Sequence, residues 1–181
     1  MFGKASRLFA LAVVLLVTGA VHSYAKNIIE TQRVPFDRDG FSIKLPVGWE
    51  AKRQDMPLFS LFICLDPAKQ KNTDITATIS IMFGRREKEH DKDFFENVLK
   101  GIKSSEIINR GLFTAYKKQE KVSGEWIHYT QKLKDGSKSH VTVYLLTDAI
   151  TAYIVICFAP ESSYEKYTDL FREVGNSIII E

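Results

Sequence analysis

Four histidines and two cysteines hold most of the metal-binding and nucleophilic potential of this 181-residue chain. His128 and His140 are the natural pair, because they flank an Asp135-Gly136 turn signal between two strand-like runs. A two-residue loop at that turn places His140 opposite Gln131 and His128 opposite Val143, and a three-residue loop shifts this by only one. The two rings are then about three rungs apart, roughly 10–13 Å at about 3.3 Å per residue. An ion needs ligands within about 2 Å, so this register predicts no shared metal and no cofactor. Cys64 and Cys157 each sit in an apolar run, Phe62-Ile63-Cys64-Leu65 and Val155-Ile156-Cys157-Phe158. A thiol buried in such a run has a raised pKa and is a poor nucleophile. No G-x-S-x-G, no C-x-x-C and no pair of carboxylates that the fold would bring together is present, so no catalytic residue is assigned. Asp37-Arg38-Asp39-Gly40 resembles the start of a calcium loop but lacks the closing glutamate at the right spacing, and reads as a turn. What remains is binding. Trp126 and His128 share one face of a strand and Tyr144 lies on the next strand, a candidate interaction surface for a protein or ligand. In a helix-covered sheet such rings are more often core.

The elements that position these residues follow from hydrophobic periodicity. After a polar lead-in over 27–38, period-two alternation predicts strands over 41–45 and 74–83, and an almost wholly apolar run over 58–65 predicts a strand covered on both faces. The period switches to helical spacing at Phe94, Phe95, Val98, Leu99 and Ile102, with Asp93 and Glu96 as a capping box, which predicts a helix over 93–104. Strand patterns follow near 113–121, 125–134, 139–147 and 150–158. A second helix is expected from Ser162 and Glu165 as cap to Gly175 as stop, with Tyr164, Tyr167, Leu170, Phe171 and Val174 on one face. Residues 177–180 suit a short strand or packed tail. Consecutive strands with helices set apart indicate an α+β fold, a central and mainly antiparallel sheet covered by helices in an α/β/α sandwich.

Residues 1–25 read as a secretory signal peptide. Lys4 and Arg7 precede an uncharged apolar run over 8–17, and Ser23-Tyr24-Ala25 offers small residues for cleavage after Ala25. A cut after Ala20, or retention as an anchor if the run extends through Val21, stays open. About ten apolar residues fall short of the roughly 20 needed to span a bilayer. Cleavage leaves 156 of the 181 residues, a single domain over 26–181. It also removes two of the 25 basic residues, leaving 23 against 22 acidic ones, a net charge of +1. Such a chain lacks the basic footprint of a nucleic-acid binder. In the oxidising periplasm or outside the cell, Cys64 and Cys157 could form a disulfide closing a 93-residue loop, provided their Cα atoms approach closely enough.

Gly40-Phe41-Ser42-Ile43-Lys44-Leu45-Pro46-Val47-Gly48-Trp49, with Phe171 and Asn176-Ser177-Ile178 near the end, is similar to the opening and closing motifs of the PsbP-like superfamily, which includes the DcrB-like bacterial exported proteins. The resemblance spans about 36–181 and implies an α/β/α sandwich with binding or assembly roles and no catalytic residue to carry over. The function expected is an exported, non-enzymatic binding or assembly factor of the periplasm or envelope, whose partner is another envelope or periplasmic protein. The alternative is a carrier of a small apolar ligand in a pocket between sheet and helix. No nucleic-acid partner and no membrane span after cleavage are expected.

Overall fold

Alternating side chains put half of each strand on one sheet face and half on the other, and here both halves are apolar in the central strands. A computed structural model of the chain describes residues 29–56, 59–66, 77–85 and 106–181. The leader and cleavage site expected within 1–26 and the helix expected over 93–104 lie outside the described residues. Ten strands form one sheet: β1 (Thr31–Phe36), β2 (Phe41–Pro46), β3 (Glu50–Asp55), β4 (Ser60–Leu65), β5 (Thr78–Arg85), β6 (Glu106–Lys117), β7 (Glu120–Lys132), β8 (Lys138–Thr147), β9 (Thr151–Pro160) and β10 (Ile179–Ile180). Their order is β1-β2-β10-β6-β7-β8-β9-β5-β4-β3. Every ladder is antiparallel except the short parallel one between β10 and β6.

The sheet curls until its ends meet. Phe36 and Phe41, at one end, pack against Phe62 and Phe83 near the other, with ring centroids 4.4 Å apart for Phe36–Phe62 and 5.3 Å for Phe41–Phe83. Arg53 on β3 ties to Asp39, before β2, at 2.5 Å. The inner face so formed takes the helix α1 (Glu161–Asn176), which buries Tyr167, Leu170, Phe171 and Val174 into the aromatic core. Each such side chain contributes roughly 1.5–3 kcal/mol relative to exposure. Polar groups fix the end of α1 against β1 and β2. Glu173 accepts from Lys44 Nζ at 2.7 Å and from Thr31 Oγ1 at 2.8 Å, and these partners hold its carboxyl below the usual range. Ser177 Oγ donates to the Val174 carbonyl at 2.7 Å and accepts from the Lys44 amide at 2.8 Å.

The outer face carries its own cluster, Ile127, Val141, Val143, Leu145 and Ile154. β9 serves both faces: Tyr153, Val155 and Cys157 point inward, while Ile154, Ile156 and Phe158 point outward. The fold is therefore sheet-dominated α+β. Among the described residues one helix covers one face, so the expected cover of helices on the sheet is corrected to a single described helical layer. Two cap assignments change as well. The residue before α1 is Pro160, with no side-chain cap bond, and Ser162 and Glu165 lie within the helix instead. Gly175 lies inside the last turn, not beyond it, and the Tyr144 ring occupies the space a side chain there would need.

Cys64 and Cys157 are free and buried. The disulfide left open by their spacing does not form, and the ladder explains why. Cys64 pairs with Ile79 and Ile79 pairs with Cys157, so β5 lies between them. Two strand spacings are about 9.6 Å, beyond the roughly 7 Å that a disulfide tolerates between Cα atoms. Burial pushes the Cys64 thiol up to about 12 and raises that of Cys157 too.

Candidate functional site

The β7–β8 register sets the site. Lys132 pairs with Lys138, and the loop over 133–137 is closed by the Leu133 amide on the Ser137 carbonyl at 2.8 Å. Asp135 Oδ1 accepts from the Ser137 amide at 3.0 Å, and Gly136 takes a φ of +84°. This loop is longer than the two-residue turn expected, and it shifts the register by one. Thr130 now faces His140 and Thr142 faces His128, so the histidines are diagonal neighbours on one face. His128 Nε2 and His140 Nδ1 are 3.1 Å apart. The expected separation of three rungs is thus corrected: the rings touch. One nitrogen donates and the other accepts, an arrangement that requires at most one of the pair to be protonated on the shared side.

Tyr164 from α1 stacks over both rings, at centroid distances of 4.1 Å to His140 and 5.0 Å to His128. Both imidazoles are held below their ordinary pKa. Burial is the main cause for each. The charge of His140 adds to it for His128, while for His140 Glu161 opposes the shift and Lys138 reinforces it. No group of three or more His, Cys, Asp or Glu side chains capable of holding an ion occurs among the described residues.

Beside this stack a cleft of about 450 Å³ opens between α1 and strands β6 to β8. Trp126, His128 and Tyr144, read from the sequence as a candidate surface, all line it. Tyr144 is buried at its floor, edge-on to Phe113 at 5.4 Å, and Trp126 and His128 are half-buried on its wall. α1 supplies Tyr164, Phe171 and Arg172, whose guanidinium pairs with Asp169. Sequence reasoning missed the contribution of β6, namely Ile108, Asn109 and Leu112. The strand was expected to start near residue 113, whereas it starts at Glu106. The apolar doublet Ile107-Ile108 ahead of Gly111 and Leu112 was the available signal.

No protein-family model matches the chain, and no curated protein matches its sequence significantly. Solved structures do match. The solution structure of cyanobacterial PsbP (CyanoP) from Synechocystis sp. PCC 6803 superposes with a TM-score of 0.60 at 15% identity, over 85% of this chain and 94% of that one. The chain has a PsbP-like fold. LpqN of Mycobacterium tuberculosis, described as involved in cell envelope biogenesis, superposes with a TM-score of 0.53 at 13% identity, over 85% of this chain and 92% of that one. At such identities the likeness is one of fold. The resemblance read from the Gly40–Trp49 segment and the closing motif therefore agrees with the architecture.

Proposed function

We propose that this protein is an exported, non-enzymatic binding factor of the periplasm or cell envelope, released after cleavage behind Ala25, and that the cleft between α1 and β6–β8 receives part of another envelope protein. The observation that carries this reading is the convergence of Trp126, Tyr144, Tyr164 and His128 around one open cleft. Large rings with a polar edge are the side chains that dominate binding energy at protein contacts. The envelope role of LpqN, a protein of the same fold, supports the setting. The near-neutral charge of the processed chain supports a protein partner over nucleic acid, and the high thiol pKa values argue against cysteine chemistry. No helix among the described residues is long and apolar enough to cross a membrane.

A small apolar ligand is the second reading, favoured by the cleft volume of about 450 Å³, within the usual range for ligand pockets. Its polar wall, with His128, Thr142, Asn109 and Arg172, suits a peptide better than a purely apolar molecule. Affinity capture from the envelope fraction with the native chain and with Trp126→Ala tests the proposal. A protein enriched by the native chain and lost with the variant is expected. Enrichment that does not depend on Trp126, or none, contradicts it.

A further inference from the structure

β6 is paired with β7 from Glu106 to Lys117 apart from a bulge at Ile108, but on its other side β10 reaches only Tyr116 and Lys117. Among the described residues nothing pairs with the remainder of that edge. The ladder itself says which backbone groups face outward. The amides of Tyr116 and Lys118 donate to the carbonyls of Ile178 and Ile180, at 3.3 Å and 2.7 Å. Backbone direction alternates along a strand, and the β6–β7 register is unbroken from Asn109 to Lys117. The amides and carbonyls of Thr114, Leu112 and Arg110 therefore point the same way. The Arg110 amide is already taken by Asn109 Oδ1 at 2.8 Å. Among the described residues that leaves the edge without a partner from Leu112 up to the point where β10 begins.

Apolar side chains accompany this open backbone. Ile107, Ile108 and Leu112 are 49%, 51% and 73% exposed on one strand. An exposed edge of this kind is a template for another strand, and proteins usually blunt it with charge. Ile108 and Leu112 also line the cleft, so edge and cleft are one continuous surface. Gly111 sits between them with the Trp126 ring beside it: a Cβ there would lie 2.9 Å from the indole Nε1. A strand laid along β6 would direct alternate side chains over Gly111 toward Trp126 and the cleft, and the others beside Leu112 and Tyr116.

Resting on the binding reading above, we propose that the partner engages by β-strand addition: an extended segment with alternating apolar residues continues the sheet at the β6 edge below β10, and places one apolar or aromatic side chain in the cleft. β10 shows that this edge accepts a strand, since the chain's own tail is seated on it. Backbone pairing supplies affinity in this mode and the side-chain pocket supplies selectivity.

The probe is a peptide selected against the purified protein from a displayed library of random twelve-residue sequences. Alternating apolar peptides are expected. Their binding should protect the Leu112 and Thr114 amides from hydrogen exchange. Leu112→Pro, which removes an outward donor and no β6–β7 bond, should weaken binding at least tenfold while β7 and β8 amides keep their protection. Thr114→Pro serves the same purpose if the first variant unfolds. Slow exchange of Leu112 and Thr114 in the free protein would overturn the inference, as would a failure to select any peptide or equal binding to both proline variants. If binding survives the prolines but is lost with Trp126→Ala, strand addition falls while the cleft reading stands. Self-association abolished by Leu112→Pro would make the occupant a second copy and overturn the partner assignment.

Discussion

His128 and His140 sit with ring nitrogens 3.1 Å apart under Tyr164, where burial disfavours the charged form of each. A histidine whose folded pKa lies below its unfolded value binds fewer protons when folded. Stability is then complete above the unfolded value of about 6.5 and falls as acid is added, until the folded rings also titrate. The melting temperature should therefore drop between pH 7.5 and 5, and His128→Gln combined with His140→Gln should flatten that drop. An identical slope in the double variant contradicts it. The contact itself was hidden from sequence reasoning by a one-residue shift of register. Asp135-Gly136 was recognisable as a turn, but the side chain of Asp135 holds a longer loop, and one step of register converts distant rings into neighbours. The cysteines show the opposite case. Their apolar neighbours foretold burial, although strand order, which keeps β5 between them, was not readable. Both thiols should react with a thiol reagent only after denaturation. Cys157→Ser should cost about 1–3 kcal/mol by burying a hydroxyl in place of a thiol, measured by urea titration.

At the scale of elements, α1 and the strands beneath it depend on close approach. The Tyr144 ring lies against Gly175, where any side chain would collide with it. Gly175→Ala is expected to destabilise the protein by about 1–3 kcal/mol and to displace Tyr144 at the cleft floor. A melting temperature equal to the native value would show that the helix moves freely, contrary to this packing. Strands β2, β4, β8 and β9 were legible because apolar residues alternate or run continuously within turn boundaries. β1 and β3 were not. Thr31–Phe36 and Glu50–Asp55 are largely polar and exposed, and they become strands through pairing with β2 and β4 rather than through their own pattern. The cleft was half legible for the same reason. Trp126, His128 and Tyr144 alternate on strong strands, while Ile108 and Leu112 belong to the exposed start of β6.

For the whole molecule, the proposed role is that of a protein that holds a partner in the open cleft between α1 and β6–β8. Its address is a separate prediction. N-terminal sequencing of the exported form should begin at Lys26, and a start at Met1 would contradict cleavage. The central claim is that the cleft and its β6 rim meet an envelope protein. It is tested most directly by placing the photo-crosslinker p-benzoylphenylalanine at Ile108, on the rim, and at Gln54, on the terminal strand β3, in cells of the native host. The account predicts one envelope protein crosslinked from Ile108 and not from Gln54. No adduct from Ile108, or the same adducts from both positions, would contradict it.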